Sequence, residues 1–423
     1  MEQDGITRRG FLATSGMAAI MATGASSALG AESASPVRIG IIGVGGRGTA
    51  LMRVMLHVPG VEIPAICDIN PDHLQRAIGI VESEHGNTPD GYQEGPYDYR
   101  RMLERDDLDG ILITTPAEWH AEMAVDSMNA GKHVGSEVPG AKTLEECWEM
   151  VRVKEETGMR YMLLENYNYT RDRMMIGNMV QQNLFGELIY AECAYIHDVN
   201  ILRYYPDGSL TWRGEAMQDG YGNQYPTHSL GPVSKWMGIH ETDRFVSLVS
   251  MDTKPAGLKR YTLDRFGPDS PQADIVWKAA GMNVTLIQTE QDRMITVYYD
   301  TNSPRPHAIF YQLQGDQGIF DSRNGINLAG KTDYNQWQAW TDFLEDHDHD
   351  YWRLRGEEAA QTGHGGGDYF VISDFIDMIR KDEEPWIDVY DSAAWSVVTP
   401  LSQESIRNGN SSVKFPDFTE NRA

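Results

Sequence analysis

The sequence predicts an α/β domain with a doubly wound parallel sheet (a Rossmann fold), followed by an α+β domain on a mostly antiparallel open sheet. Three observations predict it. Between residues 37 and 164 short β-rich runs alternate with helical ones, the succession that builds a parallel sheet with helices on both faces. After Glu165 strand candidates follow one another without long helices between them, as in antiparallel sheets. The first strand runs directly into Gly43-Val44-Gly45-Gly46-Arg47-Gly48, a glycine-rich turn that opens a helix.

The chain begins with an address. Thr7-Arg8-Arg9-Gly10-Phe11-Leu12 and the small, apolar stretch 18–28 read as a twin-arginine export signal over residues 1–31, cleaved near Gly30 or Ala31. Glycine, serine and threonine dilute that stretch too much for a membrane anchor, and no later segment is apolar enough to span a bilayer. The expected location is periplasmic or extracellular. The remaining chain of about 390 residues suits two domains, expected at 37–165 and 166–423. A net charge of -26 repels phosphate backbones and anionic lipid, which argues against nucleic acid or a membrane surface as partner. Cys67, Cys147 and Cys193 have no CxxC spacing and read as packing residues, neither a disulfide framework nor a zinc site.

Within the first domain, 37–42, 61–67, 110–114, 133–136 and 160–164 are expected as strands, and 49–57, 71–84, 99–104, 117–130 and 143–157 as helices. A helix at 171–183 leads into the second domain, with strands at 188–195, 244–251, 283–289, 294–299 and 307–313. The aromatic, glycine-rich stretch 195–225 reads as a long functional loop, and 391–407 as a late helix.

Gly43, Gly45 and Gly48, with Gly46 between the last two, form GxGxxG in the required strand-to-helix context. There the glycines let the backbone approach a pyrophosphate whose charge meets the helix N-terminus. The second strand ends on Asp68, about 20 residues further on, where a carboxylate binds a ribose 2'-hydroxyl and repels a 2'-phosphate. NAD is therefore the expected cofactor, favoured over NADP, although Arg47 in the same turn suits either phosphate. Export in the folded state would let the cofactor travel inside the protein. The third strand ends in Thr114-Thr115-Pro116-Ala117-Glu118-Trp119-His120, and strand ends of this sheet are where cofactor and substrate meet. Trp119 and His120 serve there either as neighbours of the nicotinamide half or as packing residues.

Gly135-Ser136-Glu137-Val138-Pro139 resembles the Glu-Lys-Pro signature of the glucose-fructose oxidoreductase and inositol dehydrogenase superfamily. Val138 stands where that lysine belongs, and Gln224, four residues before His228, replaces the superfamily's aspartate. These departures, together with the run 222–232, Gly363-His364-Gly365-Gly366-Gly367-Asp368 and Pro385-Trp386-Ile387-Asp388-Val389-Tyr390-Asp391, resemble glycoside hydrolase family 109 along nearly the whole mature chain. The resemblance implies an α-N-acetylgalactosaminidase-like enzyme that retains NAD and uses it catalytically. It implies NAD contacts from Gly46, Arg47, Asp68, the stretch 117–120 with Ala117, Trp119 and His120, then Glu137, Val138, Asn166, Arg213 and Tyr225. Sugar contacts are implied for Tyr195 and for Tyr225, Pro226, Thr227 and His228. His307 replaces a substrate-side tyrosine of the family, which bears on the N-acetylgalactosamine preference. The superfamily's exposed sheets commonly pair, which points to a homo-oligomer.

NAD-dependent glycosidases depart from the usual pair of flanking carboxylates. The implied route moves hydride from sugar C3 to NAD, making C2-H acidic enough for a modest base. The leaving group at C1 then departs by elimination, water adds, and the hydride returns. His228 is the first candidate for proton transfer, Tyr167 the second with Tyr169 close by, and Glu137 is the other titratable group, positioning NAD and sugar. A conventional NAD-dependent sugar oxidoreductase and a sugar-binding protein with a relic cofactor are the alternatives. The cluster Asp346-His347-Asp348-His349-Asp350 is expected as a solvated acidic turn, and no metal is expected.

Overall fold

The computed structural model describes residues 35–420; the export signal expected over 1–31 lies outside them. Six parallel strands form the first sheet: β1 (Val37–Ile42), β2 (Val61–Cys67), β3 (Asp90–Tyr92), β4 (Gly110–Ile113), β5 (His133–Ser136) and β6 (Tyr161–Leu163), in the order β3-β2-β1-β4-β5-β6. This is the doubly wound order, which reverses direction between β1 and β4 and leaves a crevice at the strand ends. The helices of this half are α1 (Gly46–Leu56), α2 (Pro71–His85), α3 (Tyr99–Leu103), α4 (His120–Asn129) and α5 (Leu144–Thr157). Local chemistry sets their ends. Asn70 accepts from the backbone N-H of Asp72 ahead of Pro71, and Thr143 forms a reciprocal capping box with Glu146, satisfying N-H groups the helix leaves free. The expected helix at 117–130 divides into a tight turn, Ala117–Trp119, and α4. Strand β3 was not expected: three residues are too short for periodicity to register, and pairing with β2 creates it.

Beyond α6 (Arg171–Gln181) the second sheet has eight strands: β7 (Leu188–Ile196), β8 (Phe245–Asp252), β9 (Asn283–Thr289), β10 (Met294–Asp300), β11 (Ala308–Gly315), β12 (Gly318–Asp321), β13 (Gly325–Leu328) and β14 (Val413–Lys414). All pair antiparallel except β7 with β10. Two expectations need correction. The stretch 195–225 contains α7 (Trp212–Asp219), and α8 (Thr227–Trp236) and α9 (Ala256–Phe266) interrupt the strands. Helix α8 carries Gly231 and Pro232, which disguise it in sequence; nine of its ten residues are buried, so packing sustains it.

The remaining helices are α10 (Leu344–His347), α11 (Asp350–Ala359), α12 (Gly367–Lys381), α13 (Val389–Ser396) and α14 (Val398–Arg407), the last two replacing the single helix expected at 391–407. Helix α12 returns to the first sheet. A side chain on Gly135 of β5 would collide with Phe375, and one on Gly110 of β4 with Ile379, so these glycines admit the helix. One hydrophobic core consequently runs through both sheets. The three cysteines are buried and free. The turn at 346–350 is not simply solvated: Asp348 is buried and paired with Arg171 at 2.7 Å, and the His349 ring accepts the Tyr351 N-H to begin α11.

Asp374 of α12 accepts one phenol hydrogen bond from Tyr169 and one from Tyr351, both at 2.9 Å. Burial pushes its carboxyl up to about 6 against the opposing effect of the two phenols. Native chains therefore bind this proton more tightly than unfolded ones. The resulting stabilisation is complete below the ordinary value of 3.8 and is lost as pH rises through 6. Thermal unfolding of wild type and Asp374→Asn between pH 4 and pH 7 tests this: the wild-type advantage in Tm should shrink by about 2–4 °C over that range, and a constant difference would remove the assignment.

Candidate active site

The turn after β1 is built for a diphosphate. Gly43 has φ of 87° and donates its N-H to the Cys67 carbonyl, and a Cβ on Gly48 would sit 2.1 Å from the Gly43 oxygen. Only glycine permits this close strand-to-helix contact. No atom lies within 4 Å of where a Gly46 Cβ would be, and Gly45 meets only His73 at 3.9 Å. The N-terminus of α1 thus faces open space. Asp68 braces the turn from the end of β2, accepting the Val44 N-H at 2.7 Å and the Asn70 N-H at 2.8 Å.

Arg47 leaves this turn and spans two carboxylates, Glu137 at the end of β5 (2.7 Å) and Asp368 at the start of α12 (2.8 and 2.9 Å). Burial alone would favour the neutral guanidine, but the two carboxylates outweigh it and hold Arg47 firmly charged. Asp368 also accepts the Asn166 amide at 2.7 Å. The Asn166 carbonyl oxygen is buried without a partner, an acceptor open to a ligand amide or hydroxyl. Trp119 packs edge-on against Tyr97. Both ring nitrogens of His120 face backbone carbonyls, Pro139 at 2.7 Å and Thr115 at 2.8 Å, so this ring braces the two strand ends. The peptide between Val138 and Pro139 is cis.

Past β6, Glu165 is fully buried and both its oxygens lie 2.7–2.8 Å from Nδ1 of His228, at the start of α8. With Nδ1-H donated to a carboxylate, Nε2 is left as the acceptor. Around this imidazole stand three phenols, Tyr167 at 4.8 Å between centroids, Tyr225 at 5.1 Å and Tyr195 at 5.4 Å. Burial, reinforced by the Glu165 charge, pushes Tyr167 up to about 12, so near neutrality this phenol donates rather than accepts. A cleft of about 190 Å³ lies beside them, lined by Ala117, Tyr195, Arg213 and Tyr225 together with Arg203 and His197. Arg213 stacks on Trp212. His307 packs against His197 at 4.6 Å; burial and the neighbouring His197, His364 and His228 lower its proton affinity. Pro226 and Thr227 lead into His228, and the Thr227 hydroxyl is buried with no partner.

The structure brings Arg47, Glu137 and Asn166 together around Asp368 and His228 together with Tyr167, Tyr195 and Tyr225, whereas Trp119 packs on Tyr97 and His120 on backbone carbonyls. Sequence reasoning missed Glu165, 63 positions from His228, which no local pattern connects to it. It also missed Asp368 and His364 as partners of Arg47, although their motif was visible. Among the described residues no group of three or more His, Cys, Asp or Glu side chains is arranged to hold a metal.

A glycine turn at a helix N-terminus, a bracing aspartate and an unmatched amide oxygen fit a nicotinamide dinucleotide, so fold and site define a dinucleotide-binding protein of the Rossmann class. Residues 37–165 match the NAD-binding Rossmann fold of an oxidoreductase family, and residues 169–423 match the glycosyl hydrolase 109 C-terminal domain. The chain belongs to glycosyl hydrolase family 109 and is an NAD-dependent glycoside hydrolase. A family 109 protein of Shewanella pealeana is 41% identical over 389 residues, 90% of this chain and 85% of that protein. An α-N-acetylgalactosaminidase of Shewanella oneidensis is 40% identical over 393 residues with the same coverage. Among solved structures, levoglucosan dehydrogenase with NADH and L-sorbose shares the fold at 19% identity, with a TM-score of 0.71 over 91% of this chain and all of that one. The scyllo-inositol dehydrogenase of Lactobacillus casei with NAD(H) and scyllo-inositol gives 0.64 at 15% identity over 90% and 99%.

Replacing Arg47 strands two buried carboxylates. Arg47→Ala should lower unfolding free energy by about 3 kcal/mol and weaken NAD retention, measured by denaturant titration and by the nucleotide released on unfolding; unchanged stability would show the clamp to be dispensable.

Proposed function

We propose that the protein hydrolyses glycosides, N-acetylgalactosaminides or related sugars, by a temporary oxidation at C3 followed by proton abstraction at C2, elimination and readdition of water. The observation that carries this reading is the buried Glu165–His228 pair, whose carboxylate engages Nδ1 and whose imidazole is surrounded by three phenols. Val138 in the place of the dehydrogenases' lysine supports it, since direct alcohol oxidation then lacks its usual proton acceptor. A bound NAD would supply the hydride acceptor and donor, leaving proton movements to the side chains.

A C2 hydrogen beside a C3 carbonyl is acidic enough for imidazole, and His228 Nε2 takes that proton while Glu165 stabilises the imidazolium through Nδ1-H. Tyr167, protonated near neutrality, donates a hydrogen bond to a sugar oxygen. Tyr195 and Tyr225 offer ring faces to the sugar, and Glu137 with Arg47 keeps the glycine turn and the β5 end in register for cofactor and substrate. Asp68 favours NAD over NADP. The twin-arginine signal supports export in the folded state with its cofactor, and the acidic surface suits a soluble protein acting on small neutral glycosides.

Incubation with a panel of aryl glycosides in heavy water, with no NAD added, tests the route. Deuterium should appear at C2 of the released sugar, and His228→Gln should lower both cleavage and C2 exchange by about 10²–10⁴-fold. Product that keeps its original C2 hydrogen would overturn the mechanism. Accumulation of NADH with added NAD and no cleavage would instead identify net sugar oxidation.

A further inference from the structure

A groove of about 750 Å³ runs between α6 and α8 and shares no lining residue with the cleft beside His228. Its size falls within the span of small-molecule sites, about 300–1,000 Å³. The turn that follows β6 serves both places: Asn166 bonds Asp368 in the crevice, whereas Asn168 lines the groove. The roles argued above leave Asn168 and Trp386 unassigned, although Trp386 belongs to one of the family's sequence motifs.

The wall of the groove holds unmatched hydrogen-bonding groups. Asn168 is 1% exposed, and neither its amide oxygen nor its amide nitrogen has a partner. Helix α8 makes room for this amide, since a Cβ on Gly231 would stand 2.4 Å from its oxygen. An amide accommodated by a glycine inside a helix, yet left with donor and acceptor both unmatched, is explained by a ligand that offers both. Arg173 Nε is likewise buried with no partner. Each Asp374 oxygen accepts one phenol, from Tyr351 and Tyr169, and keeps a second lone pair. Nδ1 of His349 accepts the Tyr351 N-H, which puts the ring hydrogen on Nε2 as a further donor. Trp386 completes this end, 40% exposed and packed edge-on against Tyr169 at 5.1 Å, so part of its indole is open.

The charges in the groove exclude an ionic ligand. Arg173 is paired with Asp172, Lys235 with Asp391 and Arg293 with Asp243, so no lining lysine or arginine is left to hold an anion. What remains is a set of neutral donors and acceptors beside an indole, and a saccharide matches that set. Its hydroxyls both donate and accept, and the apolar face of its ring packs on an aromatic one. We propose that this groove is a second saccharide-binding site, which holds a neutral sugar unit against Trp386 with its hydroxyls on Asn168 and Asp374. The assignment goes beyond the hydrolytic reading and does not depend on the elimination route. Such a site keeps a branched or multivalent glycan on the enzyme between cleavages and raises the local concentration of its ends.

The test titrates NAD-loaded enzyme carrying His228→Gln, in which cleavage is slow, with a neutral tetrasaccharide ending in N-acetylgalactosamine, followed by calorimetry. Adding Trp386→Ala should remove one binding event per chain or weaken it by about 10–30-fold. Trp386→Phe, which keeps an aromatic face, should stay within about threefold of the parent, and Asn168→Ser should weaken the same event by about fivefold. With His228 restored, Trp386→Ala should leave kcat on a methyl glycoside and bound NAD per chain unchanged. A tetrasaccharide that does not bind, binding that Trp386→Ala leaves intact, or equal losses in the Ala and Phe variants would overturn the assignment. Tighter binding of a sulfated tetrasaccharide would overturn the neutral ligand class. A wild-type enzyme that cleaves no glycoside while Trp386-dependent binding persists would reject the hydrolytic reading and uphold the second site.

Discussion

The Arg47 clamp is the interaction on which the rest of the crevice depends. One guanidinium from the dinucleotide turn binds Glu137 at the end of β5 and Asp368 at the start of α12, and Asp368 in turn holds Asn166 and His364. Elements more than 300 residues apart are thereby fixed around one charge. Burying two carboxylates against one guanidinium is tolerable only because neutral donors satisfy the remaining lone pairs. Arginine suits this position, since its planar fork reaches Asp368 through both terminal nitrogens while Nε reaches Glu137.

The two sheets divide the labour of the site. The parallel sheet supplies strand ends, where β1, β2, β4 and β5 present the glycine turn, Asp68, Ala117 and Glu137. The antiparallel sheet supplies the opposite wall: Tyr195 ends β7, and β7 also pairs with β11, just after His307. Helix α8 bridges the halves, with His228 at its first turn bonded to Glu165 and the Tyr311 hydroxyl donating to the His228 carbonyl. A histidine held at both its ring and its backbone has little freedom to leave the geometry that proton transfer requires.

Much of this was legible in sequence because it is local. The glycine turn, Asp68 at the second strand end, and the alternation from residue 37 onwards each follow from spacing along a few neighbouring residues. Most expected strands lie within one or two residues of those observed. Helix α8 escaped because Gly231 and Pro232 contradict helix formation in isolation, and burial overrides them. Strands β12, β13 and β14 escaped because two to four residues carry no period.

The sequence by itself determined the sheet classes, the dinucleotide turn and the family, since each is encoded in short-range pattern or in motifs read in order. Tertiary structure alone decided that Glu165 orients His228, that Asp368 rather than solvent receives Arg47, and that His228 and His364 both pack against Tyr167. Such partnerships arise only when distant strand ends and helix starts converge, because a hydrogen bond depends on separation in space and is blind to separation along the chain.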